Sequence, residues 1–135
     1  MTKKDATQLS YYIVGCAIRV HKELGPGLLE SIYETCLKYE LEQNGFYVQQ
    51  QVREPVVYKG LQMDQDLRLD LLVNKCVVVE IKAIEHILPV HKAQILTYMK
   101  LLQVPQGLLI NFHTDNITNS KIPFVNNYFE QLTKH

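Results

Sequence analysis

Asp70, Glu80 and Lys82 are the residues of this 135-residue chain whose types and spacing could do chemistry together. They lie in two strand-like runs, Arg68-Leu69-Asp70-Leu71-Leu72-Val73 and Val77-Val78-Val79-Glu80-Ile81-Lys82, with residues 74–76 between them. Charged groups set among apolar neighbours are costly unless they pair or bind a metal. Two carboxylates could hold a hard divalent cation, and an amine beside them could hold a water molecule or a phosphate oxygen. That combination suits metal-assisted hydrolysis of a phosphodiester.

The chemistry depends on register. With a two-residue turn at Asn74-Lys75, Val73 opposes Cys76, and Asp70 and Glu80 point to opposite faces. With three connecting residues, Val73 opposes Val77 and Asp70 opposes Glu80. Directly opposed Cβ atoms lie ~4.5–5.5 Å apart, close enough for both carboxylates to reach one cation. The shared site therefore requires an odd-length connection. The oxygen-only donor set favours Mg²⁺ or Mn²⁺. A second reading stays open at this point: Asp70 and Glu80 could form cross-strand ion pairs with Arg68 and Lys82 on a solvated sheet face.

The flanking segments must position this pair. Apolar residues at Leu9, Tyr12, Ile13, Cys16, Ala17, Val20 and Leu24 predict an amphipathic helix that Gly25-Pro26-Gly27 stops, after a frayed start over residues 1–6. Leu29, Ile32, Tyr33, Cys36, Leu37 and Leu41 predict a second helix ending at Asn44-Gly45. On a helical wheel Glu30 projects between Leu37 and Leu41, toward the core; Glu40 does so too, at the helix end. Alternation over Phe46–Tyr58 predicts a strand, with Pro55 marking an edge or a bulge. Lys59-Gly60 makes a turn. Over Leu61–Val73 the alternation puts Leu67, Leu69, Leu71 and Val73 on one face and Asp66, Arg68, Asp70 and Leu72 on the other. A third helix spans Val90 to about Leu102, with His91, Gln94 and Tyr98 sharing a face. Leu108–Phe112 reads as a buried strand, parallel to a neighbour after the helical crossover. Residues 114–135 read as a tail that Ile122, Phe124, Tyr128, Phe129 and Leu132 could dock. The expectation is one α/β domain over residues 1–135, in the order ααβββαβ.

Bulk properties narrow the class. Lys plus Arg and Asp plus Glu are 14 each, so the formal net charge is zero. A dedicated nucleic-acid coat would be basic overall, so any nucleic-acid contact must use a local patch. Cys16, Cys36 and Cys76 lack metal-ligand or disulfide spacing and read as small core residues in a reducing compartment. No apolar run approaches the ~20 residues of a membrane helix. A cytoplasmic protein is expected.

Asp70 with Glu80-Ile81-Lys82 resembles the D…(D/E)-x-K signature of the PD-(D/E)XK, restriction-endonuclease-like nucleases. Leu69 stands where the name has proline, a position that is loose in that superfamily. Gly27-Leu28-Leu29-Glu30-Ser31-Ile32-Tyr33 fits the naming motif of its GxxExxY family, and Gln94-Ile95-Leu96-Thr97-Tyr98 fits the Q-x-x-x-Y element of RecB-type nucleases. The resemblance spans about Ile18 to Phe112. It implies a restriction-endonuclease-like core, a mixed sheet of about four strands flanked by helices. It also implies that Asp70, Glu80, the Ile81 carbonyl and Glu30 hold Mg²⁺ or Mn²⁺. Lys82 would orient the attacking water, and Gln94 and Tyr98 would position the site or contact the phosphate backbone. Tyr33 reads as a packing residue whose phenol could reach a metal ligand. The implied substrate is nucleic acid, with DNA the expected class and a homodimer the means of cutting both strands of a duplex. The competing functional classes are a non-catalytic nucleic-acid or protein interaction module that keeps the fold, and a phosphate-directed enzyme acting on a small molecule.

Overall fold

The first helix, α1, runs Lys3–Leu24 in the computed structural model, which describes residues 1–134. Thr2 caps it: its hydroxyl accepts the Asp5 amide, and Asp5 accepts the Thr2 amide in return. Residues 3–6, expected to fray, are thus its first turn, with Ala6 fully buried. A bridge between Thr2 and Thr133 ties this end to the C-terminal segment. Gly25, at φ +70°, closes the helix by donating its amide to the His21 carbonyl.

The following elements are α2 (Glu30–Gln43), β1 (Val48–Tyr58), β2 (Leu61–Val73), β3 (Val77–Lys82), α3 (Pro89–Leu102) and β4 (Gln106–Asn111). A 3₁₀ turn over Ile117–Asn119, β5 (Lys121–Val125) and the short α4 (Asn127–Glu130) complete the order. One mixed sheet runs β1-β2-β3-β4-β5. β3 and β4 are parallel, as a helical crossover through α3 requires; the other neighbours are antiparallel. This is the expected α/β, restriction-endonuclease-like architecture, with five strands in place of four. The extra strand, β5, carries Pro123 and is tolerated because it lies at the sheet edge. At the opposite edge, β1 has its register shift between Pro55 and Val57.

Helices cover both faces of the sheet. Ile13, Ala17, Leu37 and Leu41 of α1 and α2 pack against Val77, Val79, Ile81, Leu108 and Ile110. On the other face, Ile95 and Met99 of α3 pack against Leu69, Leu72, Val78 and Leu109. α3 approaches β4 so closely that a Cβ at Gly107 would stand 2.7 Å from the Met99 sulfur. Cys16 and Cys76 are buried and Cys36 half-buried; all three are free thiols. No helix of the described residues is long and apolar enough to cross a membrane.

The connection between β2 and β3 has the odd length that the site demands. Val73 pairs with Val77, and Asn74-Lys75-Cys76 form the turn. Asn74 and Lys75 both take positive φ (51° and 52°), and the Cys76 amide donates to the Val73 carbonyl at 2.9 Å. One expectation about β2 fails. Leu69 packs on the α3 face and Leu71 on the α1/α2 face, so the two do not share a side. The alternation breaks at Asp70 and at Gln51 across from it. Gln51 has φ +50°, and this pair drops out of a ladder that is regular from Val48↔Val73 to Gln50↔Leu71 and resumes at Val52↔Leu69.

Candidate active site

The break at Asp70 marks a fork. β3 pairs with β2 from Val77 to Val79, then continues beside β4 as far as Lys82↔Asn111. Past Val79, β2 leaves β3, and the Asp70 side chain occupies the opening. Its Oδ2 accepts the Ile81 amide at 2.8 Å, taking a donor that the ladder no longer uses. Ile81 thus presents its amide to Asp70, while its side chain is fully buried.

Glu80 stands beside Asp70, only 6% exposed, and its Oε1 is buried without a hydrogen-bond partner. Burial, then the charge of Asp70 and hydrogen-bond contact with it, push the Glu80 carboxyl up to about 9; Lys82 pulls the other way. Lys82 is half-buried and makes no ion pair within 4.0 Å of a described carboxylate. The ion-paired sheet face is therefore not what forms: neither Asp70 nor Glu80 is paired with Arg68 or Lys82.

The acid that α2 sends to the fork is Glu34, which the sequence reading passed over. It is 7% exposed and accepts Gln50 Nε2 at 2.6 Å and Gln51 Nε2 at 2.8 Å. Burial raises its carboxyl above the usual carboxylate range, the two glutamines lower it, and neighbouring Asp70 raises it again. Glu34 lies seven residues before Leu41 and one after Tyr33, so the buried stripe of α2 already contained it.

Glu30, expected to face the core, is exposed. As the first residue of α2 it lies beyond the stretch that the sheet covers, and its Oε2 accepts the Ala83 amide at 3.1 Å. It braces the chain just after Lys82 without joining Asp70 and Glu80. Among the described residues, no three His, Cys, Asp or Glu side chains cluster so as to hold an ion between them. Tyr33 is fully buried and stacks on Phe112 with ring centroids 4.4 Å apart. Its hydroxyl donates to the Gly25 carbonyl and accepts the Leu28 amide, so it clamps the loop before α2 and reaches no metal ligand.

From α3, Tyr98 is half-buried. Burial, then the charges of Glu80 and Asp70, raise its phenol, and the ring packs on the Leu69, Leu72 and Val78 side of the sheet. Gln94, one turn earlier, is exposed. His91 accepts the Leu88 amide at 3.0 Å and serves as a local cap of α3. Asn111, also missed in the sequence, bonds both the amide and carbonyl of Ile84 and so fixes the loop that leaves Lys82.

A sequence model described as the PD-(D/E)XK nuclease superfamily matches residues 7–122. The chain belongs to that superfamily. Its members are generally nucleases and typically use divalent metals. No curated protein and no solved structure matches the chain significantly. The matched residues include every element that builds the fork.

The donor set fits a hard divalent cation. Two oxygen-only carboxylates adjoin, one has a buried oxygen without a partner, and no cationic side chain of the described residues forms an ion pair with either. Without a cation, the pair retains a proton instead, which is what the raised Glu80 carboxyl expresses.

Proposed function

We propose that the protein is a metal-dependent nuclease that hydrolyses DNA at the β2–β3 fork. The observation that carries this reading is the partnerless buried oxygen of Glu80 beside the Asp70 carboxylate. Asp70 and Glu80 would hold Mg²⁺ or Mn²⁺, with the Ile81 carbonyl available as a further oxygen donor. When bound, such an ion activates water and neutralises charge developing on the phosphorane-like transition state. Lys82 orients the attacking water and adds positive charge at the reacting phosphate. Asp70 is held in place by the Ile81 amide, and Glu34 is held against Asp70 by Gln50 and Gln51. Glu34, rather than Glu30, is the α2 acid that supports the metal ligands. Tyr98 closes the fork from the α3 side, and Gln94 contacts the backbone of the substrate.

Within the superfamily we place the chain in the GxxExxY branch. The support is that Tyr33 and Glu30 of the motif fix the loop before α2 and its link to Ala83, and that Gly27 takes a φ of +99° in that loop. Cutting both strands of a duplex would take a second copy of so small a unit.

Calorimetric titration with Mn²⁺ tests the metal site. Wild type should bind with an affinity that Asp70→Ala removes; equal binding by both defeats the reading. Cleavage of single-stranded, duplex and branched DNA then tests the activity. Lys82→Ala should fail on whichever substrate wild type cuts, and equal turnover removes Lys82 from the mechanism.

A further inference from the structure

We propose that Arg53 and Arg68 form a phosphate-binding clamp on the β1–β2 arm, gripping the nucleic-acid strand that flanks the scissile bond. The two arginines are directly opposed in the ladder. Directly opposed side chains have Cβ atoms ~4.5–5.5 Å apart, and like charges in that position are unfavourable. Neither arginine is relieved by an acid. The three ion pairs among the described residues, Lys3–Glu130, Arg19–Glu40 and Lys38–Glu42, all lie elsewhere. Both arginines are exposed and so accessible to a ligand.

Their direction follows from their neighbours. Val52 and Leu69 pack on the α3 side, so alternation turns Arg53 and Arg68 to the other side of the arm. Glu34 meets the hairpin nearer its base, through Gln50 and Gln51. Asp66 shares the arginines' side two residues further out and stays beyond ion-pair distance; the residue opposite it is Pro55, which brings no second acid. Paired planar guanidiniums suit a phosphodiester, whose two free oxygens accept forked hydrogen bonds.

The position suits the fork. Arg68 lies two residues from Asp70, ~7 Å along the strand. A nucleic-acid strand advances ~3.4 Å of duplex axis per phosphate, so a phosphate gripped here lies within one or two nucleotides of one held at the fork. The clamp would also let a chain of zero net charge hold a polyanion through a local cationic pair.

The inference deepens the nuclease reading and rests on it only for where the scissile phosphate sits. The test is anisotropy of a labelled single-stranded oligonucleotide in EDTA, so that binding is read without cleavage. Arg53→Gln/Arg68→Gln should weaken binding by roughly tenfold or more. It should also lower the slope of log affinity against log salt by about 0.7, for the one single-strand phosphate that the pair neutralises. Its melting temperature should equal or exceed that of wild type, because a like-charge pair is removed. Arg53→Lys/Arg68→Lys should keep the salt slope and lose affinity, since charge remains while the fork geometry goes. Arg19→Gln, on α1, should bind as wild type. Unchanged affinity and slope in the double glutamine variant would overturn the clamp, as would an equal loss in Arg19→Gln or equal displacement by poly-glutamate. Lys82→Ala separates the two readings. If neither it nor wild type cuts any DNA while the arginine dependence holds, the nuclease reading fails and the clamp stands.

Discussion

Two acids sit one turn apart on α2 and serve different regions. Glu30, at the helix start, is exposed and bonded to a backbone amide; Glu34 is buried against Asp70 at the fork. Around Glu30 the polar groups bond one another: the Tyr33 hydroxyl joins Gly25 and Leu28, and Glu30 accepts the Ala83 amide. Around Glu34 the acids crowd, carboxyls are raised, and a buried oxygen of Glu80 has no partner. The first region is built to be satisfied by the protein alone. The second crowds raised carboxyls around a partnerless oxygen, the arrangement expected of a functional site.

The comparison breaks most sharply at Glu80. On the proposed reading Glu80→Gln removes a charge that would hold the metal, so cleavage should fall by ~10³-fold or more, equivalent to several kcal/mol of transition-state stabilisation. The same variant should be at least as stable as wild type in EDTA near neutral pH, since it no longer strains toward a buried charge. A cleavage assay beside a urea melt reads both, and loss of stability with retained activity would reverse the assignment of the fork.

The next effect separates the two α2 acids directly. Glu34→Gln should slow cleavage by ~10–100-fold, the usual cost of removing a partner that supports a metal ligand. Glu30→Gln, which leaves an oxygen for the Ala83 amide, should stay within about threefold, because supporting bonds of this kind carry ~1 kcal/mol. The opposite order would return the site to Glu30.

Stability should show the reverse sensitivity. Tyr33→Phe keeps the ring on Phe112 and deletes the hydroxyl that holds Gly25 and Leu28. It should cost about 1–3 kcal/mol in urea denaturation, the penalty for leaving such groups unpaired. An unchanged midpoint would mean that water replaces the hydroxyl at the loop.

The chain's local rules made most of this legible. Residues 74–76 could be read as an odd connection because only that register puts Asp70 and Glu80 together, and Pro55 announced an edge strand with a bulge. What escaped was set by tertiary context. Alternation along β2 cannot reveal that Gln51 and Asp70 leave the ladder together, so Leu69 was given the wrong face. A helical wheel weighs angle and ignores axial position: it turns Glu30 and Glu40 alike toward the core, and only the motif resemblance singles out Glu30, which is exposed at the helix start, while Glu34 lies on the buried stripe of Tyr33, Leu37 and Leu41. β5 was hidden because Pro123 in a five-residue run does not read as a strand until β4 supplies an edge.

The last expected effect is a slope against pH. Glu80 titrates near 4.5 when unfolded and near 9 when folded, with burial the main cause. The folded state therefore holds this proton more tightly. The stability that it contributes is fully present below about pH 4.5 and is lost as pH rises toward about 9. In EDTA, Glu80 should weaken wild type across that window by at most ~1.4 kcal/mol per pH unit, and Glu34, also raised, adds to this in the same direction. Glu80→Gln should flatten most of the slope. Saturating Mg²⁺ should flatten it too, because a cation at Asp70 and Glu80 replaces the proton. Around Glu30 nothing of the kind is expected, so Glu30→Gln should keep the wild-type slope. Urea midpoints for the three proteins across the window, with and without Mg²⁺, decide it. If the whole slope survives in Glu80→Gln, the raised carboxyl is not that of Glu80.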